Sequence, residues 1–384
     1  MSFVSSQEFR VYPKQRQADG LDALLADFCG LYNAALQQRE EAWKRRRVSL
    51  SYEDQANELP ALRAAMPDLA RWSYTAQQQL LRRVNKAYQA FFRRVRRGEK
   101  PGFPRYKARS WFSSAEFRFG DGLTLRTDKK TGRTRLRIAG IDGGMRLFVH
   151  RPLRGKPVTA VLTRRVDGWF LIVQCRHDGD VGPQPLLPDL GVDLGFIDLV
   201  TTSDGLTVPR ERCWAEEQPA VAAHQRAMAR RRRPGKKHSQ RYRKAARLAA
   251  KAQRRVARRR KDRLHKTSRL VVNLAGRLGH EALTVTGLCR GMLARSAHDV
   301  ALGTLIAMVT DKAAWAGKVT IPVDPSGTSQ TCPVCDGRVE KALSEREHRC
   351  LQCGYTAHRD VAAAQVVEYR AFGTRPGQGL QHAA

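Results

Sequence analysis

Apolar positions recur at steps of three and four along two early stretches, "LDALLADFCGLYNAALQQREEAWKRRR" and "YTAQQQLLRRVNKAYQAFFRRVRRGE". That spacing gathers them on one face of a 3.6-residue helix, so the region from Gln17 to about Arg97 is expected to be helical. The preceding "SSQEFRVYP" reads as a short strand stopped at Pro13. Two prolines and a glycine in "KPGFPRYK" then break the second helix. Between Ser113 and Arg176 the pattern becomes short alternating runs separated by turn residues, which predicts a small antiparallel barrel. The opening strand can join that barrel, and the helices then become an insertion into it.

Beyond a linker, "DGDVGPQPLLPD", comes "LGVDLGFIDLVTTSDGLTV", a buried apolar strand followed by a hairpin. Ala, Leu and Val recur inside the basic stretch from Gln218 to Arg269, and Pro234-Gly235 divides it, so two basic helices are expected there. "HEALTVTGL" reads as a strand, "DVALGTLIAMVTDKAAWAG" as an amphipathic helix and "KVTIPVDP" as another strand. "DVAAAQVVEYRA" closes the chain as a helix, and "GTRPGQGLQHAA" reads as a disordered tail.

Charge changes the picture most. The 384 residues carry 70 Lys+Arg against 36 Asp+Glu, a formal net charge of +34. Such an excess repels itself in a compact state and is normally neutralised by a polyanion, so nucleic acid is the expected partner. The apolar share of 42% is enough for more than one core and argues against wholesale disorder. Neither a signal-peptide core nor a bilayer-length apolar run is present, which predicts a cytoplasmic protein of the bacterial or archaeal nucleoid with no membrane partner.

Of the eight cysteines, Cys29, Cys175, Cys213 and Cys289 are scattered singly. Cys332/Cys335 and Cys350/Cys353 form two C-x-x-C knuckles around a charged loop. Each knuckle puts two thiolates on one tight turn, and two turns complete a tetrahedral site, so structural Zn²⁺ is expected. With four thiolates in place there is no open position, and this metal is a clip, not a catalyst. His348 and His358 are left as surface or nucleic-acid contacts.

Two acids stand out. Asp193 ends an apolar strand in "GVDLGF", where a carboxylate needs a pairing partner or a cation. Asp360 opens the last helix, where an acid can also be a plain cap. In so basic a chain, together they suggest the carboxylate cluster of a Mg²⁺-dependent nuclease.

The order of motifs resembles the TnpB family of transposon-encoded RNA-guided nucleases. The likeness runs through "FRVYPKQRQ", "LYNAAL", "KPGFPRYK", "HRPL", "GVDLGFIDLVTTSDG", "RRRKDRLHK", "VDPSGTSQTCPVC", "KALSEREHRCLQCGYTAHRDVAAA" and "GTRPGQGLQ". It implies an α+β multidomain chain. Residues 1–13 and 100–185 would form a wedge β-barrel, and 14–99 a helical recognition insertion. An RNase H-like RuvC domain, itself α/β, would span 188–326 and 356–372, with a zinc ribbon inserted at 327–355 and a disordered tail at 373–384. It also implies a guide RNA from the transposon end, a double-stranded DNA target beside a short motif, an R-loop, and a monomer on one RNA. Asp193 and Asp360 match the first and last Mg²⁺-binding carboxylates.

The family's middle carboxylate is a Glu ending a strand that reads apolar-apolar-Glu-Asp-Leu. Aligned to "LTVTGLCRGML", Thr286 stands at that Glu and Gly287 at the Asp. Glu281 lies five positions upstream, an odd offset that puts it on the opposite face of a strand and far from the site. The resulting expectation is RNA-guided DNA binding with cleavage lost or impaired, as in a transcriptional repressor or transposon-control factor. The alternative is an active endonuclease with a rearranged acid, Asp324 or Glu340, with Asp299 a third candidate better suited to a helix surface.

Phosphate contacts are expected from Arg93, Arg94, Arg96 and Arg97 at a helix end, and from Lys107. Arg230, Arg231, Arg232, Arg233, Lys236, Lys237, Arg241, Arg254, Arg255, Arg258, Arg259 and Arg260 would track the backbone of a guide–target heteroduplex. Trp72, Tyr74, Phe91 and Tyr106 could stack on bases, although aromatics inside a helical pattern are more often core.

Overall fold

Strand β1 (Ser2–Tyr12) leads into four helices, α1 (Gln15–Arg46), α2 (Tyr52–Ala65), α3 (Pro67–Ala70) and α4 (Tyr74–Arg96). The chain then returns as β2 (Ser114–Arg118), β3 (Leu123–Thr127), β4 (Thr134–Ile138), β5 (Met145–Phe148), β6 (Lys156–Arg165) and β7 (Gly168–Asp178). The computed structural model describes residues 2–178, 186–235, 237–284, 294–342 and 344–376. Two units divide the chain, Met1–Gly179 and Asp180–Ala384.

In the first unit the strands form one antiparallel sheet in the order β2-β6-β7-β1-β5-β4-β3. It is a curled open sheet and not the closed barrel expected, because the edge strands β2 and β3 do not pair with each other. The long middle strand β1 pairs with β7 and β5 on either side. A single apolar cluster joins sheet and helices: Phe9 and Phe117 from strands meet Leu21, Phe28 and Leu36 from α1 and Leu81 from α4. Trp72 belongs to it, only 1% exposed, with its indole N–H donating to Asp27 at 2.8 Å. It is therefore core and unavailable for stacking on a base.

The second unit begins with β8 (Leu190–Asp193), β9 (Asp198–Thr202) and β10 (Thr207–Pro209). Helices α5 (Cys213–Ala229) and α6 (Gln240–Leu274) follow, then β11 (Leu278–Glu281), α7 (Ala294–Val300), α8 (Leu302–Trp315) and β12 (Thr320–Val323). A small hairpin, β13 (Glu347–Arg349) and β14 (Thr356–His358), precedes the last helix, α9 (Arg359–Phe372). The five-stranded sheet has the order β10-β9-β8-β11-β12. Its β8, β11 and β12 run parallel, whereas β9 and β10 are antiparallel.

Side-chain alternation splits this sheet cleanly. Leu190, Val192 and Leu278 face a core built with Val271 and Val272 of α6 and Leu302 and Leu305 of α8. Gly191 and Gly279 face α9, whose Ala362, Ala363, Ala364, Val366 and Val367 are buried. No described helix is long and apolar enough to cross a membrane.

Candidate active site and metal clip

Strands β8 and β11 share one sequence pattern and one register. Leu190-Gly191-Val192-Asp193 pairs in parallel with Leu278-Gly279-His280-Glu281, residue beside residue through His280 and Val192. One further step sets Glu281 alongside Asp193. Both acids follow the parity of the glycines, so both lie on the α9 face, where Asp360 occupies the first turn of that helix.

Their fields overlap. Burial, then Glu281, then Asp360 push the Asp193 carboxyl up to about 7, against smaller opposing effects of the Leu194 amide and Arg359. Glu281 is 6% exposed, and burial raises its carboxyl too. The Thr328 hydroxyl donates to Glu281 Oε1 at 2.5 Å and, with the nearby Arg370 charge, favours the ionised form. Arg370 is held in turn by the carbonyls of Asp324 and Ser326, each at 2.8 Å.

The placement of Glu281 corrects the expectation that it lies far from the site. The parity rule is sound but needs one continuous strand from Glu281 to Thr286, whereas β11 ends at Glu281. Thr286 itself falls outside the described residues. Glu340 is exposed and faces Arg338 at 3.7 Å, while Asp324 is exposed and accepts from the Ser326 amide at 3.0 Å. Asp299 is not on a helix surface: it is 8% exposed, accepts from the Trp214 amide and pairs with Arg210 at 3.5 Å. None of the three is placed as a substitute. Asp360 is also not the helix cap, because its own N–H donates to Nδ1 of His358, the N-cap residue.

The four knuckle thiols converge, with all sulfurs within 4.8 Å of one another. Cys332–Cys353 and Cys335–Cys350 are each 3.6 Å apart. A tetrahedron of roughly 2.3 Å Zn–S bonds has edges of about 3.8 Å, so the set fits zinc in size as well as in ligand chemistry. Among the described residues no other group of acids, histidines or cysteines is so compact. The three carboxylates instead form a wider, all-oxygen set of the sort that suits hard divalent ions such as Mg²⁺.

Two expectations around the clip need correction. His348 is fully buried, with Nδ1 at 2.7 Å from the Lys341 ammonium, so it is neither a surface group nor a nucleic-acid contact. Burial and that neighbouring charge hold its pKa down to about 4. The chain after α9 is not loose at its start either. Arg375 stacks on Tyr369 at 3.9 Å, donates to the carbonyls of Pro333 and Val334, and pairs with Asp336, which ties it to the first knuckle.

The basic residues separate into two groups. Arg230, Arg231, Arg232, Arg233, Lys237 and Arg241 are exposed around the α5–α6 turn, and Lys236 lies outside the described residues. Further along α6, Arg255 pairs with Glu217, Arg259 with Glu216, and Arg260 donates to the His298 carbonyl. These are partly spent on holding α6 in place, so they are poorer candidates for phosphate than the turn residues. Arg93, Arg96 and Arg97 are exposed at the end of α4, whereas Arg94 turns back to the Gly102 carbonyl. Of the aromatics, Phe91 packs on Phe92 and Phe103, and Tyr106 donates to Glu40.

Comparison with known proteins agrees with this layout. Residues 183–291 match the family model described as "Probable transposase", and residues 303–367 match "Cas12f1-like, TNB domain". A "Putative RNA-guided DNA endonuclease" of Streptomyces pristinaespiralis is 29% identical over 371 residues, covering 94% of this chain and 87% of that protein. The "Putative RNA-guided DNA endonuclease InsQ" of Escherichia coli K12 is 27% identical over 307 residues, covering 76% and 72% respectively. Among solved structures, the mini-RNA-guided endonuclease CRISPR-Cas_phi3 superposes with a TM-score of 0.50 at 10% identity, over 96% of this chain and 92% of that one, a likeness of fold. The structure is thus a mixed α+β protein whose fold resembles that of CRISPR-Cas_phi3. Both family models and both relatives support the TnpB family.

Proposed function

We propose that this chain is an RNA-guided DNA endonuclease of the TnpB type, with Asp193, Glu281 and Asp360 as its catalytic acids. The observation that carries the reading is the register-matched pair Asp193 and Glu281 at the ends of adjacent parallel strands, beside the first turn of α9. The names of both relatives, putative RNA-guided DNA endonucleases, support guidance by RNA and DNA as the substrate. The strand order, a three-stranded antiparallel start followed by two parallel strands, supports an RNase H-like RuvC domain carrying the four-cysteine ribbon. Loss of cleavage was inferred from Thr286 alone, and a middle acid at Glu281 removes that ground.

Asp193, Glu281 and Asp360 would hold Mg²⁺, which when bound supplies Lewis acidity at a phosphodiester. The protein's own share is positioning. Thr328 fixes one Glu281 oxygen, Gly191 and Gly279 let α9 approach closely enough to present Asp360, and the crowding of acids leaves Asp193 in need of a cation. The exposed arginines of the α5–α6 turn and the α4 end would hold phosphates of a guide RNA from the transposon end and its paired target strand. The working form would be a monomer on one RNA, acting at the nucleoid on duplex DNA beside a short motif.

The test is plasmid cleavage with the protein's co-purified RNA and Mg²⁺. The parent should cut, Glu281→Gln should lose about a hundredfold or more in rate, and Thr286→Ala should stay within a few-fold. Target binding should survive Glu281→Gln in a gel shift. A parent that binds target but does not cut, or a Glu281→Gln variant as fast as the parent, overturns the assignment.

A further inference from the structure

Lys107 is held in the first unit with more care than a solvated surface lysine needs. Its N–H donates to Asn33 Oδ1 at 2.9 Å, and its carbonyl accepts from Asn33 Nδ2 at 3.0 Å and from the Cys29 thiol at 3.2 Å. With the backbone pinned to α1, the ammonium lies 4.9 Å from the Tyr32 ring centroid and 5.9 Å from that of Phe112. Arg83, from α4, also lies over Phe112, at 5.2 Å, and its Nη1 donates to the carbonyl and hydroxyl of Ser114 at 3.3 Å each.

Two cations thus share one aromatic ring. Burial and the Arg83 charge both depress the Lys107 pKa, and the one group favouring its charge is the buried Cys29 thiol. Among the described residues the ammonium has no carboxylate or hydrogen-bond partner. Asp27 lines the same shallow pocket with Cys29, Asn33 and Arg109, but it is engaged by Arg71 at 3.1 Å and Trp72 at 2.8 Å. Fixing like charges together without an acid costs stability, and the cost is offset once an anion sits between them.

We propose that Lys107 and Arg83 form a seat for one backbone phosphate of a bound nucleic-acid strand. This rests on the nucleic-acid reading given above and adds a specific contact to it. Lys107→Met keeps the stem on the rings and removes the charge, so it separates phosphate binding from packing.

The experiment measures dissociation constants against salt for the parent, Lys107→Met and Lys107→Arg, with an arbitrary-sequence RNA hairpin and with duplex DNA. The slope of log K against log salt should fall by about 0.7 to 0.9 in Lys107→Met, one phosphate's worth of released counterion, and return in Lys107→Arg. Loss in the RNA arm alone assigns the seat to the guide, and loss in the DNA arm alone to the target. An unchanged slope with intact binding overturns the seat and leaves the nucleic-acid reading standing. A parent that binds neither polymer overturns that reading as well. If inorganic phosphate raises the parent's melting temperature but not that of Lys107→Met, while both slopes are equal, the site takes free anions only and the proposal fails.

Discussion

Asp193 carries an unusual load for one carboxylate. Its folded pKa stands at about 7 against an ordinary 3.8, because burial and two neighbouring acids disfavour its charge. A raised acid pKa means that folding takes up a proton, so the stability is full below pH 4 and is lost as pH climbs through 7. Three units at about 1.4 kcal/mol each make this at most about 4 kcal/mol for the Mg²⁺-free protein. Asp193→Asn should therefore melt several degrees higher than the parent at pH 8 in Mg²⁺-free buffer, with zinc retained. The gap should shrink as pH is lowered toward 5, and a gap independent of pH would disprove the crowding. The partner acid was legible in the sequence, for Leu-Gly-x-acid occurs at both 190–193 and 278–281. A strand read on to Thr286 puts Glu281 on the opposite face instead. Where a short strand stops is set by what covers it, and no local pattern marks that.

At the scale of elements, the site depends on how closely α9 lies on β8 and β11. A Cβ on Gly191 would sit 1.9 Å from the Ala364 carbonyl and 2.5 Å from the Glu368 amide nitrogen, both backbone atoms that cannot step aside. On Gly279 it would meet the Ala371 methyl at 2.8 Å and the Val367 carbonyl at 3.2 Å, a milder clash. Gly191→Ala should thus destabilise the protein by about 1–3 kcal/mol or more and displace Asp360, lowering cleavage along with the denaturation midpoint. Gly279→Ala should do less on both counts, and equal effects would show that approach distance is not what matters. The helices themselves were readable from periodicity: Ala245, Ala249, Ala252 and Val256 recur at three- and four-residue steps and are the buried face of α6. That α6 would spend Arg255 and Arg259 on Glu217 and Glu216 was not readable, since those pairs are made across a hairpin.

For the whole molecule, the net charge of +34 pointed to a polyanion partner, and the two C-x-x-C pairs to a clip, before any coordinates. What the sequence concealed was how the clip reaches the acids. Arg375 falls in a stretch that reads as a disordered tail, yet it bridges the last turn of α9, at Tyr369, to the first knuckle at Pro333, Val334 and Asp336. The β13–β14 hairpin ends at His358, which caps the same helix at Asp360. Both ends of α9 are therefore fastened to segments that the four cysteines gather, so loosening the clip is expected to displace Asp360. Stripping zinc with a thiol-reactive agent followed by a chelator should release about one zinc per chain, as a Cys₄ site requires. It should expose the 327–375 region to protease and abolish cleavage, although zinc touches no substrate. Readdition of Zn²⁺ with reductant should restore both, whereas excess Mg²⁺ should restore neither. Full cleavage by the zinc-free protein would show that α9 is held by the sheet alone and that the clip serves something other than the acids.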